Sequence, residues 1–144
     1  MQDVKEILKS YIPAYNYAVK CCRKKDREWE ALLKSPKMDG MPRNGSVSGL
    51  DDVYARIERI SKKADKARED ALELCEKIYD MIDSLDDYTE KTVIKLRYIY
   101  GYTWGDIAIS ISDIKRHRDD DKPISERTVY YIHVKALANL RKLQ

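Results

Sequence analysis

The stretch EKTVIKLRYIYGYTWGDIA, residues 90–108, and the stretch SERTVYYIH, residues 125–133, decide the fold of the second half of this chain. The first stretch predicts two helices separated by Gly101, because glycine commonly supplies the left-handed residue that ends a helix. Thr103, three residues before an aspartate, resembles the start of a capping box. Ser125 is a favourable N-cap for a further helix. We therefore expect three short helices in this half of the chain.

Apolar residues at helical spacing give each of these three helices one buried face. The expected buried positions are Val93, Leu96, the stem of Arg97 and Tyr100 in the first helix, Trp104, Ile107, Ala108, Ile111 and Ile114 in the second, and Val129, Ile132, Ala136, Leu137 and Leu140 in the third. Asp86 and Asp87 cap the first helix, since an aspartate accepts hydrogen bonds from the free N–H groups of a first turn. The three helices are thus expected to share a small core.

The outward positions in the first half of the third helix mix several kinds of side chain. They are Arg127, Thr128, Tyr130, Tyr131, Val134 and Lys135. This set suits a helix in the major groove of DNA, where Arg and Thr read base edges while Tyr hydroxyls and Lys hold phosphates. An ordinary amphipathic helix with a polar outer face has the same pattern, so this helix alone leaves both interpretations open.

Two long amphipathic helices are predicted upstream. The first covers residues 3–35, where Pro13 predicts a kink or a restart, and a turn-rich loop follows at 36–49. The second starts at Leu50 and repeats its apolar residues every 3.5 positions, which is typical of a coiled-coil seam. The seam comprises Leu50, Val53, Ile57, Ile60, Ala64, Ala67, Ala71, Leu74, Ile78, Met81 and Leu85. We expect residues 1–86 to form an antiparallel helical hairpin or coiled coil, and residues 87–144 to form a separate domain.

Composition favours an all-α fold, since Phe is absent, 37% of residues are charged and no long period-2 apolar run occurs. The net charge is only +3, but basic residues are in excess in 1–49 and 88–144, while acidic residues dominate 50–87. Basic ends indicate a polyanionic partner.

Catalysis and metal binding are not expected from this sequence. Cys21, Cys22 and Cys75 have no CxxC spacing, and His117 and His133 have no Cys or His at metal-ligand distance. We expect three reduced, buried thiols, no cofactor and no enzymatic activity. No apolar run approaches the length that spans a bilayer, so a cytoplasmic protein without a membrane partner is predicted.

The strings at residues 90–108, 124–129 and 135–141 closely resemble region four of bacterial sigma factors. They resemble still more the phage regulators of the ArpU and RinA type, which switch on late genes in phages of Gram-positive bacteria. The resemblance covers residues 88–144, and a long N-terminal helical hairpin is also typical of those regulators. It implies a three-helix helix-turn-helix module that binds DNA through Arg127, Thr128, Tyr130, Tyr131 and Lys135. Thr103 and Trp104 would lie where the preceding helix meets the phosphate backbone.

The connection between Ala108 and Ser125 is longer than in the usual module of this family. We expect it to lengthen the second helix through Arg118, with Lys115, Arg116 and Arg118 as further cations beside the DNA face. Three aspartates follow at once and would repel DNA, so a solvated basic loop is the alternative.

The leading hypothesis is a sequence-specific DNA-binding transcriptional regulator of phage or prophage origin, acting in the cytoplasm of a bacterial host. Its partners would be double-stranded DNA, RNA polymerase as a further contact, and a second copy of itself, since the seam needs a partner and favours a dimer. One alternative is a phage DNA-packaging recognition subunit resembling a small terminase. The other is a structural adaptor that does not bind DNA.

Overall fold

The computed structural model describes residues 2–34, 46–116 and 123–144, and within these ranges the chain is all-helical. The helices are α1 (Val4–Lys34), α2 (Ser46–Asp83), α3 (Tyr88–Tyr98), α4 (Trp104–Arg116) and α5 (Glu126–Leu143). No strand occurs in the described ranges, which confirms the all-α fold class. No helix among them combines the length and the apolar character that crossing a membrane requires.

The long helices differ from the sequence-based expectations in two details. α1 continues through Pro13 as one helix, so the expected restart does not occur. α2 begins at Ser46, inside the segment predicted as a loop, and residues 36–45 of that segment lie outside the described part of the chain. The helix therefore starts one turn before the first residue of the predicted seam, in a stretch whose serines and glycine are typical of loops.

The chain divides into two compact units, and each is described by itself. The first unit comprises Met1–Pro13 and Glu73–Gln144, and the second unit comprises Ala14–Leu72.

In the second unit, ion pairs join α1 and α2 in opposite chain order. Lys25 Nζ lies 3.7 Å from Asp65 Oδ1, and Arg56 Nη2 donates to Glu28 Oε2 at 2.7 Å. The later residue of α1 thus pairs with the earlier residue of α2. Exposed pairs of this kind contribute on the order of 0 to 1 kcal/mol each, so they orient the two helices more than they stabilise them.

The core of the second unit is small. Ala18, Ala67 and Ala71 form the alanine cluster, in agreement with the alanines expected at the middle of the seam. Leu50, the first predicted seam residue, is 52% exposed, and Leu33 is 79% exposed. The single chain therefore leaves the first position of the seam exposed, because a periodic apolar stripe becomes buried only where a partner surface covers it.

The first unit contains two larger clusters. The main cluster consists of Val4, Ile7, Leu8, Ile78, Ile82, Leu85, Ile94, Tyr98, Ala136, Leu137 and Leu140. The α4 cluster consists of Val93, Ile107, Ala108, Ile111 and Val129, with Leu96, Trp104, Ile124 and Ile132 packed against it. α3, α4 and α5 all contact one another. α3 and α5 contribute to both clusters and so connect them.

Three capping interactions expected from the sequence are confirmed. Asp87 Oδ1 accepts a hydrogen bond from the Thr89 N–H at 2.8 Å at the start of α3. Thr103 Oγ1 accepts from the Asp106 N–H at 3.2 Å ahead of α4. Ser125 is the N-cap of α5, and its hydroxyl accepts from the Thr128 N–H at 3.2 Å.

Two residues predicted to be buried are exposed. Tyr100 is 61% exposed because α3 ends at Tyr98 and Gly101 turns the chain with a φ of 71°. Tyr100 therefore lies beyond the reach of the helical spacing that predicted its burial, and Tyr98 is buried instead. Ile114 is 39% exposed near the C-terminal end of α4.

The long connection after α4 is tied back to that helix by Ser112. α4 extends past Ala108 to Arg116, and Ser112 is buried within it. The Ser112 hydroxyl donates to the Ala108 carbonyl at 2.8 Å and accepts from the Ile124 N–H at 2.9 Å. This bond holds the residue before the N-cap of α5 against α4, so the start of α5 is fixed although residues 117–122 lie outside the described ranges.

The three thiols differ from expectation in their burial. Cys21, Cys22 and Cys75 are unpaired, as expected, but each is half-buried rather than buried.

We expect Leu140→Ala to lower the free energy of unfolding by about 2 to 5 kcal/mol, because it removes a side chain that is 1% exposed from the main cluster. Leu143→Ala, on the same helix at a position that is 58% exposed, is the matched control and should change stability by less than about 0.5 kcal/mol. Urea unfolding monitored by circular dichroism measures both. Equal effects of the two variants would contradict the described packing of α5.

Candidate nucleic-acid interface

The outer face of α5 is set by the residues that anchor its inner face. Val129 and Ala136 are fully buried and Leu140 is 1% exposed. The residues predicted to face outward are all exposed, namely Arg127, Thr128, Tyr130, Tyr131, Val134 and Lys135. The α5 outer face, as these six residues are called below, therefore combines polar, cationic and aromatic groups on the first half of one helix.

The first turn of α5 carries the most ordered part of this face. The Arg127 guanidinium lies 5.9 Å from the centre of the Tyr131 ring, one helical turn away. Thr128 Oγ1 lies 3.0 Å from Ser125 Oγ. A cation above an exposed ring gains on the order of 0.5 to 1 kcal/mol, so Arg127 has a preferred direction but can leave it at little cost.

Trp104, predicted to meet a phosphate backbone, is largely engaged with other side chains of the first unit. The Arg97 guanidinium lies 4.4 Å from the centre of its ring. The rings of Tyr130 and His133 meet it edge to face, at 5.6 and 4.8 Å between centroids. Trp104 thus joins α3, α4 and α5, and it touches the α5 outer face through Tyr130.

Thr103 is exposed, but its hydroxyl is committed to the N-terminus of α4. Besides accepting from the Asp106 N–H, Thr103 Oγ1 donates to Asp106 Oδ2 at 2.9 Å. The side chain therefore holds the first turn of α4.

Sequence reasoning missed His133, which is only 3% exposed. Its Nε2 lies 2.7 Å from the Tyr98 hydroxyl, and the two rings stack at 5.6 Å. Its Nδ1 has no hydrogen-bond partner among the described residues. Burial, and then the positive charges of Lys5 and Arg97, lower the pKa of His133 to about 4. His133 is therefore neutral at pH 7. Its contacts help to hold the α5 outer face in position.

Lys135 has a carboxylate partner that the sequence did not reveal. Glu90 on α3 is 2% exposed, and its Oε1 lies 3.6 Å from Lys135 Nζ. Asn139 Nδ2 donates to both oxygens of Glu90, at 3.1 and 3.0 Å. Buried carboxylates need such partners, so Lys135 serves in part to neutralise Glu90, and its ammonium is less available to an external phosphate than the predicted role requires.

The three basic residues of the long connection are described only in part. Lys115 and Arg116 belong to the last turn of α4, but their side chains lie outside the described part of the structure. Arg118 lies wholly outside it. The predicted contribution of these cations to the interface stays a prediction.

Comparisons with protein-family models, with curated proteins and with solved structures find no match to this chain.

We expect acid to destabilise the fold through His133. Its pKa in the folded chain is about 4, below the ordinary value of 6.5. The unfolded chain therefore takes up the proton first, so the stabilisation is complete above pH 6.5 and is lost as the pH falls towards 4. The loss should be on the order of 3 kcal/mol, from 1.36 kcal/mol per pKa unit.

Urea unfolding between pH 4 and 7 measures this loss for the wild type, for His133→Gln and for the control His117→Gln. Carboxylates also make the free energy of unfolding of all three proteins depend on pH. The test is therefore the difference between the three curves of free energy against pH. The His133→Gln curve should fall less steeply than the other two. Parallel curves for all three proteins would rule out the buried neutral state of His133.

Proposed function

We propose that the chain is a sequence-specific DNA-binding transcriptional regulator of phage or prophage origin, acting in the cytoplasm of a bacterial host. In this proposal α3, α4 and α5 form a helix-turn-helix module of the sigma region-four kind, and α5 is its recognition helix. A contact with RNA polymerase is part of the proposal through the resemblance of residues 88–144 to that region.

The observation that carries the proposal is the division of α5 into two faces. Its inner face is anchored in both clusters of the first unit, and its outer face exposes Arg127, Thr128, Tyr130 and Tyr131 together. A recognition helix needs this combination, because base reading requires a rigid backbone and free polar side chains near the N-terminal end.

The side chains of the α5 outer face fall into two groups, according to whether they can contact the bases or the phosphates of DNA. Arg127 can donate two parallel hydrogen bonds to a guanine, and Thr128 can contact a base edge or a thymine methyl group. Tyr130 and Tyr131 can donate their hydroxyl protons to phosphate oxygens. Arg127 should therefore carry sequence preference, while the tyrosines fix the position of the helix on the duplex.

We expect Arg127→Ala to weaken binding to the preferred duplex by roughly 5- to 150-fold, equivalent to about 1 to 3 kcal/mol. The preferred duplex is obtained by in vitro selection from a randomised library. Binding to a scrambled duplex should change much less, because only the base contact is lost. Fluorescence anisotropy at fixed salt measures both affinities.

Arg68→Ala, an exposed arginine of α2, is the matched control and should leave both affinities unchanged. An equal loss on both duplexes would reduce Arg127 to a phosphate contact. Absence of duplex binding by the wild type, even at low salt, would refute the proposed function and favour the adaptor.

The proposal includes a homodimer formed through the N-terminal helices, which we take to be an antiparallel hairpin. Its support lies in the second unit, which buries few apolar side chains besides the alanine cluster, namely Ile57 and Ala64. Trp29, Leu33, Leu50 and Tyr54 are exposed there, each by at least 39%. Large apolar residues at helical spacing on two neighbouring helices are typical of a surface that a further helix pair covers.

We expect light scattering to give the mass of two chains, and the double variant Leu33→Gln, Leu50→Gln to shift the equilibrium towards one chain. The reason is that both leucines would lose apolar contact at the interface. Leu143→Gln, exposed in the first unit, is the control and should remain dimeric. A wild-type monomer would contradict the dimer, and a ring of eight or more chains would favour DNA packaging.

A further inference from the structure

A cleft of about 480 Å³ opens in the first unit between α1, α3, α4 and α5. Lys5, Lys9 and Arg97 line it, together with a wall of rings that includes Trp104, Tyr130 and His133. The described lining contains three cationic side chains and no carboxylate. This charge composition is suited to an anionic ligand.

The two lysines of the cleft form no ion pair in the described part of the chain, although the charge of Lys5 is among the causes that lower the pKa of the nearby Asp3 carboxyl. Lys5 and Lys9 are one turn apart on α1 and both line the cleft. Among the described residues, neither ammonium forms an ion pair, in contrast to Lys25 and Lys135. A ligand would therefore not have to displace a carboxylate to reach them.

Arg97 is held in place by neutral groups only. Its Nη1 donates to the Tyr102 carbonyl at 3.0 Å, and its guanidinium stacks on Trp104 at 4.4 Å. A guanidinium has five N–H donors, so further donors remain after the single bond to the carbonyl. The side chain is thus positioned without being neutralised, which is the arrangement that favours binding of an oxyanion.

The positive charges of Lys5 and Arg97 act on a buried group of the first unit, His133. After burial, the charges of Lys5 and Arg97 are the next causes that lower the pKa of His133. A group whose pKa is lowered by burial and, to a smaller extent, by nearby cations lies in the field that would attract an anion.

We propose that this cleft, the phosphate cleft, binds a phosphate group through Lys5, Lys9 and Arg97. The favoured source is a backbone phosphate of the duplex, because Tyr130 belongs both to the cleft and to the α5 outer face; this choice of source rests on the proposed function. The first turns of α1 would then extend the DNA interface beyond the module formed by α3, α4 and α5. A free nucleotide offers the same chemistry and is the other source.

The first experiment measures the salt dependence of binding to a scrambled duplex. Each phosphate contact contributes about 0.9 to the slope of log K against log salt concentration. Because both lysines are proposed to hold the same phosphate, Lys5→Gln, Lys9→Gln should reduce the slope by about 0.9. Lys62→Gln, Lys66→Gln makes the same change of charge at the same spacing on α2 and is the control. An unchanged slope, or equal reductions in both variants, overturns the duplex as the source.

The second experiment follows the indole N–H signal of Trp104 by NMR during titration with inorganic phosphate and with adenosine monophosphate. Sodium chloride at matched ionic strength is the reference. Trp29, the only other tryptophan, lies in the second unit and is an internal control. Binding should shift the Trp104 signal and not that of Trp29, and Lys5→Gln, Lys9→Gln should abolish the shift.

The two experiments separate the cleft from the proposed function. A Trp104 shift without any duplex binding supports the cleft with a free phosphate ligand and refutes the proposed function. Sequence-dependent loss in Arg127→Ala, with no effect of the lysine variant in either experiment, supports the proposed function and overturns the phosphate cleft. Failure of duplex binding and of the Trp104 shift refutes both.

Discussion

The arrangement of the first unit depends on α3, where two adjacent residues face different cores. Val93 and Ile94 are both fully buried, yet Val93 belongs to the α4 cluster and Ile94 to the main cluster. α5 repeats this division along its length, with Val129 in the α4 cluster and Leu140 in the main cluster. Because rotating either helix would expose one of these side chains to water, at roughly 1.5 to 3 kcal/mol each, the rotation of α5 is fixed, and with it the choice of residues that face outward.

Buried polar contacts reinforce the same rotation. Glu90 on α3 is held by Asn139 and Lys135 of α5, and Tyr98 on α3 meets His133 of α5. A buried polar group that loses its partner costs about 1 to 3 kcal/mol, so a rotated α5 would be penalised by polar as well as apolar terms. The outer face is therefore a consequence of the inner one.

The features that could be predicted from the sequence are those that depend on neighbouring residues. The caps at Asp87 and Ser125 depend on neighbours within three residues, and the two faces of α5 follow from helical spacing. The features that could not be predicted concern residues whose partners are distant in the sequence or do not belong to the same chain. Tyr98 contacts His133, which is 35 positions away in the sequence. The residues next to Tyr98 therefore could not show that Tyr98 is buried while Tyr100 is exposed. Periodicity placed Leu50 on the apolar stripe of α2. It could not show whether the surface that covers this stripe lies in the same chain. The burial of Glu90 could not be predicted because its partners, Asn139 and Lys135, lie on another helix.

The most direct test of the central claim, that the fixed outer face of α5 contacts DNA, is an amide NMR titration of the full chain with a selected duplex at moderate salt. The account predicts that the largest shifts, or the earliest line broadening, occur at residues 127–131, with much smaller changes along residues 50–72 of α2. Shifts confined to α2, or a spectrum unchanged by the duplex at low salt, would contradict it.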